Sequence, residues 1–393
     1  MIQEAVLERI RTFGHKIPIE RRAERIADPV ERLRFLRQEM STSTVAEIGT
    51  RSLHRGKSGA LRHAPWMGLL AVLVFATGPA PKGAAETRAK ERGLLVPRAD
   101  AASFTPGAVP RVWRVERSET TETYSNGLRV DLTYSTSNRP RAQYAVYSLS
   151  GAYRPVKTSN QPIGIVFHMS ESNLAPFEQE ETRRLKYLGR NLLEVIRREH
   201  SYHYVIDRFG RVFSVVAESD AAFHAGFSIW ADSEGIYVNL NDSFIGVSFE
   251  GQTESSDAVT PAQTVAAKLL TEMLRSRYGI AAENCVTHAQ VSVNPLNMRI
   301  GNHVDWAANF PFAAVGLPDN YSMPLASIYA FGFEYDSVFL KATGERWRGL
   351  DLSVAQLERQ AAAEQTSVPQ YRAMLQRRYK DIAAALKSEE ESK

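Results

Sequence analysis

A chain of 393 residues is too long for one ordinary domain, and 44% hydrophobic residues suffice for at least one sizeable core, so one main domain with appendages is expected. Forty-eight Lys and Arg against 44 Asp and Glu leave a formal charge of +4, which gives no support to a nucleic-acid partner. The single cysteine, Cys285, excludes an internal disulfide and leaves the redox compartment unread.

Residues 1–65 are rich in Arg, Glu and His, with an amphipathic stretch over about 5–40, and form a peripheral or wrongly started N-terminal segment. The one strongly apolar run, Trp66 to Ala76, follows Arg51, Arg55, Lys57 and Arg62 and precedes Gly78, Pro79 and small residues up to Ala85. It is shorter than the roughly 20 residues a membrane-spanning helix needs and fits the 7–15 of a signal-peptide core. Segment 66–85 therefore reads as signal-peptide-like, with Met40 or Met67 the true start, or as a membrane anchor through residues 66–76. Either reading exports the rest of the chain to the periplasm or cell envelope; a buried core helix is the plainer alternative. Residues 86–111 read as linker.

The main domain is expected over 112–317. Alternation from Val112 to Glu116 and from Leu128 to Tyr134 predicts a leading hairpin turning at Asn126-Gly127. Strands are then expected at 163–167, 202–207, 211–216, 244–250 and 285–288, with a helix over 178–198. A second helix is expected from an N-cap at Thr260, with Pro261 and Gln263, to Gly279. Strands interleaved with helices imply an α/β fold with a mixed central sheet flanked by helices. Residues 318–393 form a mostly helical C-terminal tail, with segments at 353–365 and 371–386 either docked or serving as a partner-binding arm.

His168 ends the apolar strand Ile163 to Phe167, and His288 ends Asn284 to Thr287; the chain after His288 returns through His303-Val304-Asp305. Two imidazoles and one carboxylate make the ligand set of a catalytic zinc, because three protein ligands leave one tetrahedral vertex for water. Cys285 is expected as a buried thiol and His200 as a helix-end residue.

The pieces Ile165-Val166-Phe167-His168, Ser201 to Arg208 with Gly210, His224-Ala225-Gly226, Ile245 to Gly251 and Thr287-His288 occur in the order found in the type 2 N-acetylmuramoyl-L-alanine amidases and peptidoglycan recognition proteins. The chain resembles that superfamily over about residues 155–312. The resemblance implies a zinc amidase that hydrolyses the lactyl to L-alanine amide of peptidoglycan, or a non-catalytic module that only binds peptidoglycan or muropeptides. It implies His168, His288 and Asp305 as Zn²⁺ ligands, with His303 the competitor for the third place, since Asp305 is reached through a longer loop than the family uses. His303 also stands where relatives place an oxyanion-stabilising lysine. Tyr202 matches a tyrosine beside the reacting water, and strand parity puts Tyr202 and Tyr204 on one face with His203 on the other. Ser248 occupies the place of a family glutamate, Glu250 is a second-choice base, and His224 lines the substrate groove.

Overall fold

The computed structural model describes residues 109–149, 155–253 and 259–391. The amphipathic stretch of 5–40 and the apolar run of 66–76 lie outside the described residues. No helix among the described residues is long and apolar enough to cross a membrane.

The centre of the molecule is an eight-stranded mixed sheet. In chain order its strands are β1 (Arg114–Arg117), β2 (Thr121–Tyr124), β3 (Arg129–Asp131), β6 (Gly164–Met169), β7 (Tyr204–Ile206), β8 (Val212–Ser214), β11 (Phe244–Phe249) and β12 (Cys285–Thr287). Their spatial order is β1-β2-β3-β8-β7-β11-β6-β12. β6, β7, β11 and β12 run parallel. The neighbouring pair β6 and β11 is buried at every position, as strands covered on both faces must be, and hence their near-continuous apolar sequences. Gly164 admits this closeness: a Cβ there would meet the Phe244 ring at 2.0 Å.

A smaller four-stranded sheet, which the sequence reading did not anticipate, comprises β4 (Tyr144–Tyr147), β5 (Pro155–Ser159), β9 (Ile229–Ala231) and β10 (Ile236–Val238) in the order β5-β4-β10-β9. The leading segment also differs from the expected hairpin. The Asn126-Gly127 turn is present, with Gly127 at φ 88°, but it joins β2 to β3 rather than the expected 112–116 strand to its partner. β1 pairs with β2 across a tight turn in which the Ser118 hydroxyl accepts the Thr121 N–H.

The α-helix α1 (Thr182–Glu199) buries Leu192, Leu193 and Ile196 against Val205 and Phe213 on one face of the sheet. It starts four residues later than its apolar spacing suggests, and the left-handed His200 ends it, its N–H donating to Ile196. α2 (Pro261–Tyr278) covers the other face. Its full capping box at Thr260 and Gln263 and the left-handed Gly279 at its end fall at the expected residues. Ile165, Phe167 and Met169 of β6 point to the α2 side while Val166 joins a different cluster, so the period of two puts His168 on the face away from α2.

After a two-residue ribbon of β13 (Val293–Asn294) and β14 (Arg299–Ile300), the tail forms α4 (Ala326–Tyr329), α5 (Ser337–Thr343), α6 (Arg348–Ala363) and α7 (Val368–Glu391), α3 (His288–Val291) having preceded the ribbon. These helices share a core with the main domain: Leu357, Tyr371, Leu375 and Tyr379 join one cluster with Ala289, Val293, Ile300 and Ala307. Pro369, expected as a separator, sits in the first turn of α7, where its missing N–H costs no hydrogen bond.

Candidate metal centre

His168 is carried by the end of β6, and His288 begins α3 immediately after β12 rather than ending the strand. β6 and β12 are hydrogen-bonded neighbours, which brings the two histidines, far apart in sequence, to one place at the carboxyl ends of the strands. Their rings meet at 4.5 Å between centroids. Asp305 closes the group: its Oδ1 lies 2.9 Å from His288 Nδ1 and its Oδ2 3.3 Å from His168 Nδ1.

All three residues are buried, and one ligand atom from each falls within 4.8 Å of the others. Atoms bonded at about 2.0–2.1 Å to a tetrahedral ion stand roughly 3.3 Å apart, close to the distances from Asp305 to the two histidines. His168 Nδ1 is buried without a hydrogen-bond partner, since its approach to Asp305 has the distance but not the direction of a bond. A buried nitrogen lone pair left unpaired beside a carboxylate suits a cation, so the donor set fits Zn²⁺.

The electrostatics agree with that donor set. Burial, reinforced by the neighbouring His288, lowers the His168 imidazole to about 4 and keeps it unprotonated at neutral pH. Burial opposes ionisation of Asp305, yet the His288 charge and the contacts from both histidines hold its carboxyl far below the usual carboxylate range.

Backbone strain accompanies this group. Trp306, next to Asp305, has φ 58°, a left-handed conformation that a tryptophan adopts at a cost of about 1–3 kcal/mol. The Tyr321 hydroxyl donates to the Trp306 carbonyl at 2.7 Å, and the indole packs edge-on against Phe249 and Phe310. This brace fixes the turn that presents the carboxylate.

Around the triad the structure distributes the remaining expected residues unevenly. Tyr202 lies beside the centre, its ring 5.0 Å from that of His168, and burial followed by the Asp305 charge raises its hydroxyl so that it stays protonated. The parity argument that selected it does not hold, because β7 begins only at Tyr204. Tyr202 packs with the α1 cluster, whereas Tyr204 faces α2 and donates to Glu218.

His303 is exposed and stands outside the ligand group, its ring stacked on His288 at 4.5 Å and 16°. Ser248 sits directly across from His168 in the β11–β6 register, fully buried next to Tyr202. Glu250 is drawn elsewhere: its Oε2 accepts the Arg208 N–H at 3.0 Å, capping the turn after β7. His224 does not line an open groove. It is buried behind His168, with its Nδ1 3.1 Å from His168 Nε2. Cys285 is a buried thiol pushed up to about 12 by its apolar surroundings.

Residues 158–305 match the model of the family described as N-acetylmuramoyl-L-alanine amidase, and that stretch contains both histidines and ends on Asp305. Over this segment the chain is similar to the type 2 amidases. A curated relative, the N-acetylmuramoyl-L-alanine amidase AmiD of Escherichia coli strain K12, is 33% identical over 89 residues. The alignment covers 21% of this chain and 31% of AmiD, so the chain spans about a third of the length of that relative.

Among solved structures, AmiD from E. coli in complex with anhydro-N-acetylmuramic acid-L-Ala-D-gamma-Glu-L-Lys is similar at 24% identity, over 35% of this chain and 53% of that one, with a TM-score of 0.26. AmpDh3 from Pseudomonas aeruginosa in complex with anhydromuramic pentapeptide is similar at 20% identity, over 50% and 79%, with a TM-score of 0.32.

The matched domain contains polar residues that the sequence reading left without a role. Asn241 Oδ1 accepts the N–H groups of both His224 and Ala225, at 3.0 and 2.8 Å. Arg141, arriving from the segment before β4, donates to the carbonyls of Asp242 and Phe244 and lies 2.9 Å from His203 Nε2. No local spacing marks these residues, because they come from separate loops.

Proposed function

We propose that the amidase domain is a zinc-dependent N-acetylmuramoyl-L-alanine amidase that hydrolyses the amide between the lactyl group of a peptidoglycan sugar and the L-alanine of its stem peptide. The observation that carries this reading is the convergence of His168, His288 and Asp305 into one buried group with an unpaired nitrogen aimed at its centre. The family match over those residues and the likeness to AmiD support the choice of bond.

Zn²⁺ held by the three side chains would supply Lewis acidity toward the amide carbonyl and lower the pKa of a water to about 7. The chain's own groups do the rest. Asp305, ionised and braced by the Trp306 turn, balances positive charge at the centre. Tyr202, kept protonated, donates its hydroxyl hydrogen bond to orient the attacking water or to help return a proton to the departing alanine amine. His303, standing over His288 on the solvent side, is placed to donate to the oxyanion that develops on the carbonyl. His168 remains neutral throughout, because its burial disfavours the charged form.

The apolar run Trp66 to Ala76 supports export of the domain to the envelope, where peptidoglycan lies. The test is incubation of the purified full chain with peptidoglycan sacculi, with and without chelator, following release of stem peptides with a free N-terminal alanine by mass spectrometry. Chelator-sensitive release is expected. A chain that holds zinc yet releases nothing would be a binding module instead, and the catalytic reading would be lost.

A further inference from the structure

On the side of His168 away from Asp305, three more polar side chains are buried one behind another: His224, His203 and Arg141. His168 Nε2 lies 3.1 Å from His224 Nδ1, the His224 and His203 rings are 5.7 Å apart, and Arg141 Nη2 is 2.9 Å from His203 Nε2. We propose that His224 is a positioning residue that fixes the tautomer of His168, keeping the proton off Nδ1 so that this atom is free to bind the metal. The proposal rests on the zinc reading of the site and deepens it.

The protons can be placed by starting from a group that only accepts. The Phe244 carbonyl faces His224 Nε2 at 3.4 Å, so Nε2 of His224 carries the hydrogen. A neutral imidazole has one donor and one acceptor, which makes His224 Nδ1 the acceptor. Facing it, His168 Nε2 must donate, and the lone pair of His168 is left on Nδ1, the nitrogen aimed at Asp305 and His288.

With the proton on Nδ1 the ligand atom would be blocked, although the Asp305 carboxylate 3.3 Å away is not aligned to take that proton. His224 opposes that outcome by offering an acceptor on the opposite side of the ring. Metal-bound histidines ordinarily give their second N–H to a carboxylate, carbonyl or water, and here another imidazole takes that place.

The surroundings hold His224 to this duty. Its backbone is pinned by Asn241 Oδ1, and its ring lies over Gly246, where a Cβ would come within 2.5 Å of its Cγ. The Gly246 N–H donates to His203 Nδ1 at 2.9 Å, and His203 Nε2 faces the Asp220 carbonyl at 3.1 Å. Burial and the adjacent Arg141 charge then keep His203 from taking a second proton, and the row stays neutral.

The decisive measurement is the tautomer of His168 in the metal-free full chain labelled with ¹⁵N-histidine, read from the two-bond nitrogen–proton couplings. The proton is expected on Nε2. In His224→Phe it should move to Nδ1, and the zinc Kd from chelator competition should weaken about 10- to 100-fold. His224→Gln, whose amide oxygen accepts a hydrogen bond, should recover most of that affinity. A wild-type His168 protonated on Nδ1, or a His224→Phe chain with the wild-type zinc Kd, overturns the proposal. Should His224→Phe fail to fold, the wild-type spectrum decides alone. Failure of the wild-type chain to bind zinc would sink the metal reading, while the spectrum would still decide the part of His224.

Discussion

Gly246→Ala is the smallest change that tests how the centre is held. Gly246 lies within β11, and a Cβ added there would stand 2.5 Å from His224 Cγ and 2.9 Å from His224 Cβ. The first distance is about 0.9 Å inside the 3.4 Å at which ordinary contact begins. The clash is with the stem of the side chain rather than a flexible end, so no rotamer of His224 escapes it. The backbone cannot retreat freely either, because Asn241 grips the N–H groups of His224 and Ala225. Overpacking of this kind costs about 1–3 kcal/mol. At roughly 2–4 °C per kcal/mol for a domain of this size, the Tm should fall by about 2–12 °C. A displacement near 1 Å also breaks the 3.1 Å His168–His224 hydrogen bond, so zinc affinity should fall together with stability. Thermal melts with and without zinc, and chelator competition, measure both. An alanine variant with the wild-type Tm and zinc Kd would show that His224 does not lie over Gly246 as described.

Other perturbations separate holding the metal from using it. Asp305→Ala should abolish zinc retention through dialysis and with it activity; full zinc occupancy by metal analysis would remove Asp305 from the ligand set. Tyr202→Phe should keep zinc and lower kcat by about 10²-fold or more, the scale of one lost proton donor, and an unchanged kcat would clear Tyr202 of any part. Tyr379→Ala, which empties the space against Phe331 and Phe333, should cost about 3–5 kcal/mol in denaturant unfolding. For pH, the buried histidines His168 and His203 have lowered folded values, so the unfolded chain binds more protons than the folded one below about 6.5. Stability of the metal-free protein should be full above that pH and fall toward pH 4, by up to about 1.4 kcal/mol per pH unit for each such histidine. Equal unfolding midpoints at pH 7 and pH 5 would contradict this.

What could be read from the sequence follows from what is local. The capping box at Thr260 and Gln263, the stop at Gly279 and the buried run of β6 each depend on neighbours in the chain; the structure has the first two at the expected residues and carries β6 on to Met169, past the expected end. The gathering of His168, His288 and Asp305 follows from ordered motifs at strand ends. Strand parity at Tyr202 misled because it assumes regular β geometry two residues before β7 begins. The His224, His203 and Arg141 row was beyond reach for another reason: its members sit on three separate segments and meet only through the sheet. The second sheet was hidden because β9 and β10 are three residues each, too short to show a period.

The tail and the long reach from His288 to Asp305 have one physical explanation. The chain between the two ligands is not slack: it forms α3 and the β13–β14 ribbon before turning at Asp305. The inward side chains of that excursion, Val293, Met298 and Ile300, share one core with Phe333, Phe339 and the tail helices. Gly301, at φ 73°, lets the chain pass under Phe339, whose ring a Cβ would meet at 2.1 Å. Beyond Asp305 the grip continues, for Trp347 Nε1 donates to the Ala307 carbonyl and Tyr321 holds Trp306 while stacking on Trp347 at 4.8 Å. The Asp305 carboxylate is thus presented by a strained turn clamped between the main sheet and the C-terminal helices. Removing residues 348–391 would strip the apolar cover from the ribbon and loosen Asp305 while leaving His168 at the end of β6 and His288 directly after β12. Such a truncated chain should lose zinc at lower chelator concentrations than the full chain, and equal retention by both would show that the tail does not brace the ligand.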